Sequence, residues 1–352
     1  MNEIEQLATR MIGEACEMKS SDIHIIPRAR DAIVQLRVDQ DLVAHQTLPK
    51  DVSERLISHF KFLGSMDIGE RRKPQNGALS TTINHIKVNL RLSTLPTSQD
   101  ESLVIRVLPQ TQTTSLKHLS LFQNHTKKLI SLLKHSHGLI VFTGPTGSGK
   151  TTTLYTLLHE VKHLLNRNVI TLEDPIEQQS EKVLQVQVNE RAGITYATGL
   201  KAILRHDPDI IMVGEIRDAE TAQIAVRAAL TGHLVLTTMH TKDTKGSIYR
   251  LLEFGVSIQE IEQTLVAVAA QRLVEIKCNF CEGKCHPLCK RERLNRQASV
   301  YELLYGREVN QVLNEVKGKE FQYEYARLRD AIRKGIALGY LYSHALDGWG
   351  SY

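Results

Sequence analysis

The sequence predicts two domains of mixed character, the second an α/β unit built on a largely parallel sheet. Three observations carry this: a length of 352 residues, a change of patterning near residue 108, and a glycine-rich loop set between an apolar strand and a helix. A chain this long exceeds one ordinary hydrophobic core and divides into two. Apolar residues are 41% and charged residues 24% of the total, the balance of a globular protein without collagenous or low-complexity stretches.

The first domain is expected over 1–108. Ile4, Leu7, Ala8, Met11, Ile12 and Ala15 recur at helical spacing, so the chain opens with an amphipathic helix. Short alternating segments at 22–26, 32–38 and 42–46 read as strands, 52–63 as a helix, and 86–92 and 103–108 as strands again. That mixture indicates an α+β domain. Pro109 to Ser115 is polar and aperiodic, and 109–117 is read as the linker.

The second domain is expected over 118–352. Gly138 to Phe142 is a continuous apolar run, followed by the glycine-rich loop and a helix from Thr151 to Leu165. Strands are expected at 169–172, 183–188, 210–213 and 234–238, with helices between several of them, which is the rhythm of a parallel sheet covered on both faces. After Lys242 the pattern reads as mostly helical to the end, apart from a cysteine-rich insertion over 278–289.

A net charge of +5 is mild and argues for no particular partner. No run approaches the roughly 18 apolar residues that span a bilayer. Met1-Asn2-Glu3-Ile4-Glu5 lacks the basic start and apolar stretch of a signal peptide. The expected location is the cytoplasm, with any membrane contact peripheral, on the inner face of the cell membrane. Cys16 reads as a small buried hydrophobe on a helix.

Gly144-Pro145-Thr146-Gly147-Ser148-Gly149-Lys150-Thr151 matches G-x-x-x-x-G-K-[ST] at every position, after a strand and before a helix. Glycines let backbone N–H groups turn inward around phosphate oxygens, and the helix N-terminus adds partial positive charge. Lys150 reaches the β- and γ-phosphates and the Thr151 hydroxyl ligates Mg²⁺. Thr152, the next residue of the helix, is taken as part of the same nucleotide site. ATP with Mg²⁺ is the expected ligand.

Two acidic segments follow strands. Asp207-Pro208-Asp209-Ile210-Ile211-Met212-Val213-Gly214-Glu215 places a carboxylate where a P-loop sheet holds Mg²⁺ or its water. Glu173-Asp174-Pro175-Ile176-Glu177 lies at the C-terminal end of another strand, where parallel sheets bind ligands. One of its carboxylates is suited to polarise an attacking water; a solvated acidic loop is the alternative. Gly232 to Thr241 brackets a strand with His233 and His240, and two histidines alone would under-ligand a zinc ion.

Taken in order, these motifs resemble the secretion ATPase superfamily, whose members power type II secretion, type IV pilus extension and retraction, and competence pseudopilus assembly. Ile170 to Glu177 resembles its Asp box and Gly232 to Thr241 its His box. In the first domain Ser21-Asp22-Ile23-His24-Ile25, Glu70 to Gln75 and Arg91 to Thr97 resemble family motifs too. The resemblance implies a RecA-like P-loop core with a smaller, PAS-like N-terminal domain. It implies Glu173 as general base or water-orienting group, Glu215 in the Mg²⁺ shell, and His240 at the γ-phosphate with His233 nearby. Arg91 and Arg106 would reach the ATP of a neighbouring subunit, which implies a ring, expected as a homohexamer. The partner implied is an inner-membrane platform protein of a pilus or pseudopilus system, with no direct nucleic-acid contact. Gln40 and Asp100 stand where family members usually carry glycine, both in hairpin turns.

Cys278, Cys281, Cys285 and Cys289 offer four sulfurs, enough to close a tetrahedral Zn²⁺ site, with four uncoordinated thiols as the alternative. Lys277, Lys284, Lys290, Arg291 and Arg293 would favour thiolates, and His286 is a possible substitute ligand. A basic knuckle gripping nucleic acid has only Phe280 as a stacking platform. Assembly-type members of the family carry a tetracysteine element after the segment matching Gln271-Arg272-Leu273-Val274, and retraction motors lack it. The chain therefore resembles most the competence (DNA-uptake) branch of Gram-positive bacteria. A pilus retraction or type II secretion ATPase is the nearest alternative, and a zinc-containing nucleic-acid-binding protein with a vestigial P-loop a more distant one.

Overall fold

Strand β1 (Ser20–Pro27) begins an antiparallel sheet whose order is β3-β2-β1-β6-β5-β4, with β2 Asp31–Val38, β3 Asp41–Pro49, β4 Gln75–Ile83, β5 Ile86–Pro96 and β6 Glu101–Pro109. The computed structural model describes all residues except 1–2, 40, 84–85, 110–114, 282–284, 286–288, 290–292, 294–295, 320–324 and 350–352. The chain divides into two compact units, Met1–Gln112 with His286–Leu294, and Thr113–Cys285 with Asn295–Tyr352. Much of the expected linker, residues 110–114, lies outside the described residues, as do Gln40, Lys284, His286, Lys290 and Arg291.

In the first unit, side chains of alternate residues face opposite sides of the sheet. Ile23 and Ile25, Val34 and Leu36, Leu90 and Leu92, Leu103 and Ile105 form one buried core with helices α1 (Glu3–Glu17) and α2 (Lys50–Leu63). α1 contributes Ile4, Ala8, Met11, Ile12 and Ala15, spaced three and four apart as an apolar stripe requires. The strand β4 is absent from the sequence reading. Its Gly-Ala-Leu-Ser-Thr-Thr stretch is poor in large apolar residues, because it forms a sheet edge that covers little core.

Lys61, on α2, is the unexpected member of this core. Its Nζ lies 2.8 Å from Glu101 Oε2, with side chains 1% and 4% exposed, and donates to the Glu70 carbonyl at 2.8 Å. The ion pair pins α2 to the start of β6.

The second unit has the order β13-β12-β7-β11-β10-β8-β9, with β7 Gly138–Thr143, β8 Val169–Glu173, β9 Leu184–Gln187, β10 Ile210–Val213, β11 Leu234–Met239, β12 Leu265–Glu275 and β13 Gln297–Tyr305. All neighbours are parallel except β12 and β13. Continuous apolar strands follow from burial on both faces. Ile140 and Phe142 pack with α3 (Gln123–Leu132) and α4 (Lys150–Leu165). Leu139 and Val141 face the other way, toward α5 (Tyr196–Ile203), α6 (Ala219–Leu230), α7 (Thr244–Glu253), α8 (Ile258–Thr264) and α9 (Arg307–Val316). The result is the α/β fold with a P-loop core expected from the sequence.

The mostly helical reading after Lys242 is corrected here. β12 and β13 together add two strands to the sheet, while α10 (Leu328–Ala337) and α9 close the chain. A run such as Leu265-Val-Ala-Val-Ala-Ala cannot be told from a buried helix by periodicity alone. Pairing with β7 decides it, because β7 needs a second parallel neighbour. Glu302 on β13 is buried and accepts hydrogen bonds from the backbone of Thr244 at 3.1 Å and of Leu328 at 3.1 Å. These are the first residues of α7 and α10, so one carboxylate serves two helix N-termini, where negative charge is favoured. Among the described residues no helix is long and apolar enough to cross a membrane.

We expect Lys61→Ala to destabilise the protein by about 3 kcal/mol, since it strands a buried carboxylate, and Lys61→Met with Glu101→Leu to recover most of that loss. Urea denaturation of the full chain measures both. A single-variant loss below about 1 kcal/mol would mean the pair is solvated in solution.

Candidate nucleotide site

The loop 144–149 turns immediately where β7 ends. Gly144, Gly147 and Gly149 have φ of 146°, 77° and 86°, a region that other residues enter at a cost. Gly144 has a second reason to lack a side chain. A Cβ there would stand 2.6 Å from the Gln271 carbonyl oxygen and 2.9 Å from an Arg272 Nη1. β12 thus lies flush against the loop.

Lys150 is the first residue of α4 and is buried; its Nζ donates to the carbonyls of Gly144 at 2.7 Å and Pro145 at 3.1 Å. Burial, with the Arg272 cation nearby, pushes its ammonium down to about 8, and Glu215 and Glu177 oppose the shift. A bound triphosphate would supply opposing negative charge. The Ser148 hydroxyl is buried without a protein partner, which fits a phosphate-binding cradle. Pro145 and Thr146 complete the turn, and Thr151 and Thr152 follow in the first turn of α4.

Glu173 ends β8 and is buried. Its Oε2 accepts from the Tyr155 hydroxyl, and Oε1 accepts from Thr171 Oγ1 at 2.7 Å and Gln185 Nε2 at 3.3 Å. Burial raises the Glu173 carboxyl above its ordinary range, while these hydrogen bonds, Tyr155's foremost, pull it back. Glu215 follows β10; it contacts Arg217 and lies 3.3 Å from His240 Nε2. Arg217 also approaches Asp174 at 3.8 Å. The loop after β7, Glu173 at the end of β8, Glu215 after β10 and His240 after β11 all sit at the C-terminal edge of one parallel sheet. That is where such sheets bind ligands.

His233 does not join them. It precedes β11, at the opposite edge, and its Nδ1 lies 3.0 Å from the Ala228 carbonyl and 3.2 Å from Thr231 Oγ1. The expectation that it stands near His240 is corrected: a six-residue strand separates the two ends, about 20 Å at the usual rise. Its role is to close the α6–β11 turn.

Arg91 and Arg106 lie directly opposite each other on β5 and β6. Both face away from α1 and α2, since Leu90, Leu92 and Ile105 face toward them. Arg106 Nε donates to Asp22 Oδ1 at 3.0 Å, and Arg37 lies opposite Asp22 on β2. Two cations set directly across a sheet are unfavourable, and the Asp22 carboxylate offsets one of them. The described left-handed residue in the β2–β3 turn is Asp39, at φ 59°. Asp100 keeps an ordinary φ; its side chain accepts from the Glu101 backbone at 2.8 Å.

The four cysteine sulfurs of Cys278, Cys281, Cys285 and Cys289 all lie within 4.8 Å of one another. A tetrahedral zinc with Zn–S bonds of about 2.3 Å sets its sulfurs roughly 3.8 Å apart, so the set fits after sub-ångström closure. One detail supports thiolate ligation: Phe280 N donates to Cys278 Sγ at 3.5 Å. Tyr342 bridges the Cys278 backbone N–H (3.0 Å) and the Cys281 carbonyl (3.2 Å), fixing the backbone that carries two of the sulfurs.

Sequence reasoning overlooked Tyr155, Gln185 and Arg272. Tyr155 looks like an ordinary core residue of α4; its only signal is its position four residues after Thr151, on the same helix face.

A sequence profile of the family described as Type II/IV secretion system protein matches residues 1–345. Competence protein ComGA of Bacillus subtilis (strain 168) is 60% identical over 350 residues, covering 99% of this chain and 98% of that protein. Competence protein ComGA of Halalkalibacterium halodurans is 43% identical over 343 residues, 97% of each chain. Among solved structures, the X-ray structure of the Legionella pneumophila ATPase DotB superposes with a TM-score of 0.76 at 22% identity, covering 98% of this chain and 96% of that one. At that identity the likeness bears on the fold.

Elemental analysis of tag-free protein is expected to find about one zinc per chain, and stripping it to lower the thermal unfolding temperature, because metal binding adds to the folding free energy. Metal-free protein with unchanged stability would contradict zinc ligation.

Proposed function

The chain belongs to the type II/IV secretion system protein family and is an ATPase of that family; from that premise we propose that it is the motor that assembles a competence pilus or pseudopilus for DNA uptake. The observation that carries the catalytic reading is the meeting of the P-loop, Glu173, Glu215 and His240 at one edge of the parallel sheet. The competence assignment is supported by the full-length relative at 60% identity. The cysteine cluster supports assembly over retraction.

In this reading Gly144 to Thr152 hold the nucleotide, with Lys150 on the β- and γ-phosphates. Thr151 and Glu215 are the groups that would hold Mg²⁺, which neutralises phosphate charge. Glu173 takes a proton from a water whose oxygen attacks the γ-phosphorus. The bond from that phosphorus to the bridging oxygen breaks, and ADP leaves with the electron pair. His240, beside Glu215, senses whether the γ-phosphate is present. Arg91 and Arg106 compensate the charge developing at a neighbouring subunit's ATP, in the manner of arginine fingers. Such sharing calls for a closed ring, proposed as a homohexamer. The ring works from the cytoplasm, peripherally on the inner face of the membrane, against a platform protein of the pilus system. The proposed zinc is held by Cys278, Cys281, Cys285 and Cys289.

Lys150→Ala is expected to abolish turnover by removing the fixed cation of the cradle. Glu173→Gln is expected to slow hydrolysis by about 10²- to 10⁴-fold with nucleotide affinity nearly unchanged, because it removes a base rather than a phosphate ligand. Steady-state ATPase rates with fluorescent-nucleotide titration separate the two. A Glu173→Gln enzyme with wild-type turnover would remove Glu173 from the chemistry.

A further inference from the structure

Glu173 receives donors from three elements. Thr171 belongs to its own strand, two residues back, and shares its orientation by strand geometry. Gln185 comes from β9; its Nε2 also reaches the Tyr155 hydroxyl at 3.3 Å and the Gln178 carbonyl at 2.9 Å. Tyr155 comes from α4, the helix whose first turn carries Lys150 and Thr151. Only this third donor is rigidly connected to the phosphate cradle.

The connection is geometric. Residues four apart on a helix share a face, so Thr151 and Tyr155 are neighbours on the side of α4 turned toward β8. A shift of the first turn of α4, where phosphates bear, moves the Tyr155 hydroxyl and with it one oxygen of Glu173. The tyrosine ring is buried at 5% exposure, and its hydroxyl donates to Glu173, with the Gln185 amide and the Gln178 backbone as further partners. A phenylalanine would fill the same space.

We propose that Tyr155 is a positioning residue for hydrolysis: carried on the P-loop helix, its hydroxyl holds the Glu173 carboxylate in the aim required for the attacking water. This rests on Glu173 acting as the base or water-orienting group. Freed of Tyr155, the carboxylate keeps the Thr171 and Gln185 donors and remains in place, but Oε2 loses the donor that fixes its direction. Nucleotide binding does not involve Oε2 and should be untouched.

The test is a double-mutant cycle in the full-length protein, with Tyr155→Phe and Glu173→Gln made singly and together, and ATP turnover and affinity measured for each. Tyr155→Phe is expected to lower kcat about tenfold, the size of one hydrogen bond to a charged group, with KM for ATP within about twofold of the parent. In the Glu173→Gln background the same change should alter kcat by less than about twofold. Retained nucleotide affinity certifies that each variant is folded. A Tyr155→Phe enzyme with parental kcat would overturn the proposal, as would a loss that multiplies in full with that of Glu173→Gln. The base reading fails separately, through parental turnover of the single Glu173→Gln variant.

Discussion

The phosphate cradle has to turn within one residue of a buried strand while another strand is pressed against it. Gly144 and Gly149 both border Gln271 of β12, at 2.6 Å and 2.8 Å from where a Cβ would stand. The loop is therefore shaped on one side by its own glycines and on the other by a strand that comes much later in the chain. β12 is held in turn by parallel pairing to β7 and antiparallel pairing to β13. Arg272 extends the same contact: its guanidinium donates to the Gln271 carbonyl at 2.9 Å and the Lys242 carbonyl at 3.0 Å. The loop that follows His240 is thereby tied to the strand that backs the P-loop. Thr143, the last residue before the cradle, adds a hydroxyl bond to the Thr241 carbonyl at 3.1 Å. The glycine-rich loop and the segment after β11 are thus joined by side-chain hydrogen bonds.

Burial sets the electrostatics of the site. Lys150 is driven toward its neutral form and Glu173 toward its protonated form by the same loss of water. Each is charged at the cost of a buried site, and each is steadied by fixed partners: carbonyls for the lysine, hydroxyls and an amide for the glutamate. Groups held this way need little rearrangement when charge shifts during phosphoryl transfer. The outward face of the N-terminal sheet is built on the opposite plan. Arg106 is 55% exposed beside Asp22, and Arg91 lies across from it with no compensating carboxylate in register.

Features with local chemistry were legible in the sequence. Glycines, a lysine and a threonine at fixed spacing define the cradle without reference to the rest of the chain. Glu173 and Glu215 were visible as carboxylates just past apolar runs. Features defined by distant pairing were not. β12 reads like a buried helix until β7 is beside it, and Glu302 looks like an ordinary surface acid until α7 and α10 deliver their N-termini to it. His233 and His240 lie seven residues apart in sequence, yet a strand carries them to opposite edges of the sheet. Tyr155 hides because its apolar ring satisfies the helix pattern and only its hydroxyl reaches Glu173. Lys61 was invisible for the converse reason, since a lysine on a helix is almost always solvated.

The claim on which the motor account turns is that each active site is completed by arginines from another chain. Its most direct measurement is ATP turnover in mixtures of Arg91→Ala and Lys150→Ala proteins, each expected to be inactive alone. In a ring where every site pairs one chain's P-loop with its neighbour's arginines, equal mixing leaves about a quarter of the sites with both intact. Turnover should rise toward that fraction as the chains exchange. Mixtures that stay as inactive as their components, under conditions where wild-type chains exchange and assemble, would contradict a shared site.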